Sequence, residues 1–180
     1  MMRKNLIALA AGACLAIAMP LAHAEKTTGE TIDDTSLATS VKAALAKADG
    51  VSAGSINVEV YKGRVQLGGF VASADEEKAA LATAKQVEGT QKVLDALVVA
   101  KGKRSFGETI DDTTIQTKLK ADLAEKMGAE KALAINTGVR ESEVLLSGFV
   151  ADKKYVAEAG TIAKNIKGVT KVHNHLAVKD

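Results

Sequence analysis

The 180-residue chain has one cysteine, one proline, no tryptophan, two tyrosines and three phenylalanines. Cys14 and Pro20 both fall within the first 24 residues, so the rest of the chain can build neither a disulfide nor a thiol-based centre. With so few aromatic rings, no stacking platform for single-stranded nucleic acid can be assembled. Charge of one sign is missing as well. The 24 basic and 22 acidic residues leave +2, and Arg3 and Lys4 account for that surplus. No global field favours nucleic acid. There is no Ser-centred elbow, no phosphate loop and no metal-type Cys/His spacing. No enzyme activity, cofactor or metal is therefore expected. Nor is there an apolar run of the roughly 20 residues that a membrane-spanning helix needs.

The nearest approach to such a run, Asn5 to Met19, follows the basic Met1-Met2-Arg3-Lys4 and ends at Pro20. Ala22-His23-Ala24 then has the small-x-small pattern of a cleavage site. These features predict an export signal over residues 1–24, cleaved after Ala24, and a periplasmic destination. Lipid attachment at Cys14 is not expected, because Leu is absent three residues before it and apolar residues continue to Leu21.

The remaining chain is written twice. Gly29-Glu30-Thr31-Ile32-Asp33-Asp34-Thr35 recurs as Gly107-Glu108-Thr109-Ile110-Asp111-Asp112-Thr113, an offset of 78. Gly69-Phe70-Val71-Ala72 recurs as Gly148-Phe149-Val150-Ala151 at 79, so one residue is inserted between, around Met127 to Lys131. Self-similarity at this period means two homologous modules. The expected division is a first module over 25–100, a basic linker over 101–106 and a second module over 107–180. These segments carry −3, +3 and zero net charge.

Each module reads helix, strand, strand, helix, strand. Asp33 or Asp34, and likewise Asp111 or Asp112, stands where a helix cap would open the first amphipathic run. Ile56, Val58 and Val60 alternate with polar residues, and Lys62-Gly63 turns the chain into Val65, Leu67, Gly69 and Val71. In the second module the hairpin is expected over Leu133 to Val150. Ser73 with Glu76 forms a capping-box pattern, Asp152 a cap, and Gly89 and Gly168 the stops of the second helices. The last strands follow, Thr170 to Val178 in the second copy. A strand–helix–strand link crosses right-handedly, which sets strand three parallel to strand two. The expected fold class is α+β: two tandem αββαβ modules, each a three-stranded mixed sheet with two helices on one face. Gly69 and Gly148 fall on the helix-covered side, where a missing side chain would let a helix lie close.

Val-x-Leu-x-Gly-x-Val, a capped helix, then Gly-Val-x-x-Val-x-Asn-x-Leu resembles the BON domain. Val144, Leu146, Gly148, Val150, Gly168, Val169, Val172, Asn174 and Leu176 match throughout, whereas the first copy departs at Thr90 and Asp95. The resemblance covers essentially everything after the export segment. It implies a non-catalytic module associated with phospholipid surfaces of the cell envelope. For exported two-module members it implies envelope stress and the protection of envelope proteins.

Two surfaces follow as candidates. Lys164, Lys167, Lys171 and Lys179 lie in a stretch without acids, and with Lys101, Lys103 and Arg104 of the linker they could meet anionic phospholipid. On the sheet face away from the helices stand Tyr61, Phe70, Leu94 and Val98, with Leu145 and Phe149 in the second module. Such a face is expected to pack module against module or to bind a partner; the alternative function is a periplasmic chaperone holding unfolded exported proteins there. His173 and His175 share one face of the last strand and are expected as solvated residues rather than metal ligands.

Overall fold

A computed structural model describes residues 28–100, 102 and 106–179. The expected export segment and the linker cations Lys101, Lys103 and Arg104 lie outside the described residues. The first module runs α1 (Thr28–Lys47), β1 (Ile56–Tyr61), β2 (Arg64–Val71), α2 (Ala74–Gln86) and β3 (Lys92–Val99). The second runs α3 (Phe106–Met127), α4 (Ala129–Leu133), β4 (Asn136–Arg140), β5 (Glu143–Ser147), β6 (Phe149–Val150), α5 (Lys153–Lys164), β7 (Lys171–Asn174) and β8 (Ala177–Val178). Phe106, placed in the linker by the sequence, is the first residue of α3.

Each module has a mixed sheet. β2 pairs antiparallel with β1 and parallel with β3, in the order β1-β2-β3. The second sheet repeats this as β4-β5-β7, continued by the parallel pair β6 and β8. The short helix α4 stands where the first module has a single 3₁₀ turn, Ala53–Ser55, before its first strand. Leu133, expected to open the hairpin, instead ends α4 and is 87% exposed.

Helical spacing builds both cores. Leu37, Val41 and Leu45 recur every four residues, line one face of α1 and are buried with Val58, Val65, Leu67 and Val71. Ala80 and Ala84 of α2 close that core. Ile115, Leu119 and Leu123 do the same in α3, with Val144, Leu146, Val150, Ile162 and Ala163.

The paired aspartates do something other than cap. Asp34 and Asp112 lie inside α1 and α3, not at their first residues. Asp34 accepts hydrogen bonds from the backbone amides of Lys62 (2.9 Å) and Gly63 (3.0 Å). Asp112 accepts from Glu141 (3.1 Å) and Ser142 (2.9 Å). Both turns contain residues with positive φ, whose amides are turned out of the hairpin ladder. Each first helix therefore clamps the hairpin turn through one buried carboxylate.

The glycines of the repeat need a similar correction. Val65, Leu67 and Val71 do face the helices, but the constraint at Gly69 comes from backbone. A Cβ there would strike the carbonyl oxygen of Ser55, and one at Gly148 that of Ala134. Both carbonyls belong to the segment entering the neighbouring strand. Gly148 also has φ +122°, a conformation other residues scarcely adopt, and it interrupts the strand between β5 and β6.

Ser73 caps α2 as its pattern predicts, accepting from the amide of Glu76 at 3.1 Å. Glu76 does not return the bond to Ser73. Its two oxygens accept from the amides of Ala72 and Ser52, each at 2.7 Å. Burial raises the pKa of this carboxyl, but hydrogen bonding to the Ala72 amide and to the backbone and side chain of Ser52 together outweighs burial and holds it below its ordinary 4.5. A lowered carboxylate pKa stabilises the fold above the unfolded value, and that contribution is lost as pH falls through the folded value. Glu76→Gln should thus cost about 1–3 kcal/mol at neutral pH, with the gap closing below pH 4.5. Urea midpoints measured across pH test this; an unchanging gap would refute the carboxylate's role.

Candidate functional site

The two sheets turn their helix-free faces toward each other. Gln66, 3% exposed on β2, donates from Nε2 to the carbonyl of His175 (2.7 Å) and accepts from the amide of Gly148 (2.5 Å). Arg64 donates to the carbonyl of Val178 at 2.8 Å, and Asn136 to Glu59 at 3.0 Å. Gly68 lies so close to Ser147 that a Cβ would stand 2.8 Å from that serine's own Cβ. These two are equivalent residues of the repeat, 79 positions apart. Phe149 meets Tyr61, while Phe70 lines a cavity with Arg140, the counterpart of Tyr61. Reciprocal contacts between equivalent positions describe an approximate two-fold relation between the modules.

At one end of the junction the aromatic rings collect cations. Tyr61 and Phe149 lie with centroids 5.7 Å apart, and the Arg64 guanidinium sits 5.6 and 5.2 Å from them. Lys62 and Lys179 approach the Tyr61 ring at 5.7 and 5.5 Å. At the other end, a cavity of about 200 Å³ is lined by Phe70, Val98, Arg140, Glu143, Lys171 and His173. There His173 Nε2 lies 2.6 Å from a Glu143 carboxylate oxygen, with its side chain only 15% exposed. It is a paired residue rather than a solvated one. The His173 and His175 rings stack at 6.4 Å. Burial, and then the neighbouring His173, lower the pKa of His175 against the pull of Asp95. Among the described residues no three metal-ligating side chains come together.

The expected basic patch is divided. Lys164, Lys167 and Lys171 are exposed where α5 ends and β7 begins. Lys179 is exposed beyond β8. Eight positions of extended chain separate Lys171 from Lys179, roughly 25 Å. Of the apolar-face residues, Leu145 and Phe149 are buried and Tyr61, Phe70, Leu94 and Val98 half-buried. Sequence reasoning missed Gln66 and Arg64. The available signal was polarity at positions 64 and 66 within an apolar strand, where the second copy has Glu143 and Leu145.

The BON domain family model matches residues 33–101 and again 111–180. The chain belongs to the BON domain family. The outer membrane lipoprotein DolP of Haemophilus influenzae is 36% identical over 158 residues, spanning 87% of this chain and 80% of that protein. Osmotically-inducible protein Y of Escherichia coli is 33% identical over 156 residues, spanning 84% and 75%. Among solved structures, the C-terminal domain of CdsD from the type III secretion system of Chlamydia trachomatis covers 79% of this chain and 96% of that one, at 11% identity and a TM-score of 0.33.

The BON motif's asparagine has a visible duty. Asn174 accepts from the amide of Leu176 (3.3 Å) and donates to the carbonyl of Val156 (2.7 Å), tying the last strand to α5. Asp95, its counterpart in the first BON module, keeps the bond to the amide two residues on, Leu97, at 2.9 Å. A carboxylate has no donor for the second bond.

Proposed function

We propose that this chain is an exported, non-enzymatic envelope protein that attaches to anionic phospholipid surfaces through exposed basic residues of two BON modules. One observation carries the reading: the apolar sheet faces are spent on each other. Among the described residues only Val99 (39%) and Leu133 (87%) are large apolar side chains left exposed. What this surface offers a partner is charge. Anionic head groups answer lysines at about 1 kcal/mol each near the membrane, and linked modules add avidity without new contacts. The names of the two relatives, an outer membrane lipoprotein and an osmotically inducible protein, support an envelope setting. No helix among the described residues is long and apolar enough to cross a membrane, which suits attachment to a surface. Holding unfolded clients on the sheet faces would first require the modules to separate.

Co-sedimentation with neutral and anionic vesicles across a salt series tests the proposal. Binding should be confined to anionic vesicles and fade as salt rises, because exposed charges are screened beyond a Debye length of about 10 Å at 0.1 M. Equal recovery with both vesicle types at low salt would remove the phospholipid reading. Salt-insensitive suppression of client aggregation by the same sample would favour the chaperone instead.

A further inference from the structure

We propose that the membrane-contacting face is the basic, tyrosine-bearing end of the module junction, where Lys62, Lys131, Lys154 and Lys179 converge on Tyr61 and Tyr155 to take the phosphodiester head groups of anionic lipids. The inference rests on the phospholipid reading above and assigns it a place. Lys131 of α4 and Lys154 of α5 each lie 5.0 Å from the Tyr155 ring. Lys179, beyond β8, and Lys62, in the β1–β2 turn, lie 5.5 and 5.7 Å from the Tyr61 ring. All four lysines are exposed. Four separate elements, drawn from both modules, thus deliver a cation to one end of the molecule.

The two rings belong to one continuous surface. A cavity of about 130 Å³ is lined by Phe149, Tyr155, Lys131 and Lys179, and Phe149 also packs on Tyr61. Glu130 is the one acid lining it among the described residues. Cations gathered this closely repel one another, and an anion entering among them relieves that repulsion. Tyrosine adds what a plain basic patch lacks: an apolar body with a polar tip, suited to the level of lipid head groups. Lys171, at the opposite end of the last strand from Lys179, lines a cavity without a tyrosine and already lies 3.9 Å from Glu143.

Two charge-matched triple variants of the full chain decide the matter, with vesicles of phosphatidylglycerol in phosphatidylcholine as the probe. Lys131→Glu/Lys154→Glu/Lys179→Glu should weaken vesicle binding by about 100-fold or more, the loss expected from three basic residues near an anionic surface. Lys164→Glu/Lys167→Glu/Lys171→Glu should weaken it less than tenfold. The corresponding lysine-to-glutamine triple, which adds no acid, provides the same comparison if the first variant does not fold. Equal losses in both triples, or a larger loss in the second, would overturn this face while leaving phospholipid attachment standing. Displacement of the protein from vesicles by millimolar inorganic phosphate at constant ionic strength would reduce the face to a simple anion site and also overturn it. If the unaltered chain ignores anionic vesicles, the phospholipid reading fails, and this inference with it.

Discussion

Gly148→Ala should lower the unfolding free energy by about 3–5 kcal/mol, among the largest losses any single methyl group could cause here. Two causes add. At φ +122° the residue occupies backbone space that side chains disfavour. The new methyl group would also strike the carbonyl oxygen of Ala134, held in place where α4 ends. A flexible side chain could move aside; this backbone cannot move without disturbing the entry to β4. Gly89→Ala supplies the contrast. Gly89 also has positive φ, +89°, but a Cβ there would meet only Leu37 side-chain atoms, 3.7 Å away. That change should cost about 1–2 kcal/mol, the conformational part alone. Urea midpoints of the two variants test the account, and equal losses would show that the close backbone approach contributes nothing.

Gln66→Leu should cost about 2–4 kcal/mol and divide thermal unfolding into two transitions. Leucine occupies the equivalent position 145 in the second module, so its volume suits this sheet face. Leucine cannot, however, satisfy the His175 carbonyl and the Gly148 amide that Gln66 bonds. A buried polar group left without its partner costs about 1–3 kcal/mol. Both groups belong to the opposite module, so the loss falls on the junction rather than on either core. Scanning calorimetry should then resolve the modules, each too small to be more than marginally stable alone. A single transition at the unaltered temperature would mean that Gln66 does not couple them.

Which parts of this architecture the linear order of residues reveals depends on the range of the interaction. Helix faces are local patterns: Leu37, Val41 and Leu45 recur with the helical period and are buried together. The Lys62-Gly63 turn is equally local, and both of its residues have positive φ. Caps read well too, as Ser73 and Asp152 each accept an amide of their own helix. The aspartate pair looked local and is not. Asp34 serves amides 28 and 29 residues away, and nothing in its neighbours distinguishes that duty from capping. Gly148 marked a backbone constraint correctly, but the obstructing atom, the Ala134 carbonyl, comes from another element.

The candidate site is more distant still. Tyr61 and Phe149 are 88 positions apart in the chain, and their rings lie 5.7 Å apart. Lys131, Lys154 and Tyr155 carry no common motif, and only the fold sets Lys131 of α4 beside the Tyr155 ring of α5, where both amines meet one ring. The run of lysines from residue 164 to 179 looked like one patch because they are near in sequence. An extended strand carries its ends apart, so tertiary structure divides that run and joins Lys179 to other cations. By itself, then, the sequence determined the repeat, the α+β module and its two cores, because periodicity and turn chemistry act over a few residues. Only the tertiary structure decided that the sheets face each other and where the cations gather, because both depend on residues from different modules meeting across a junction.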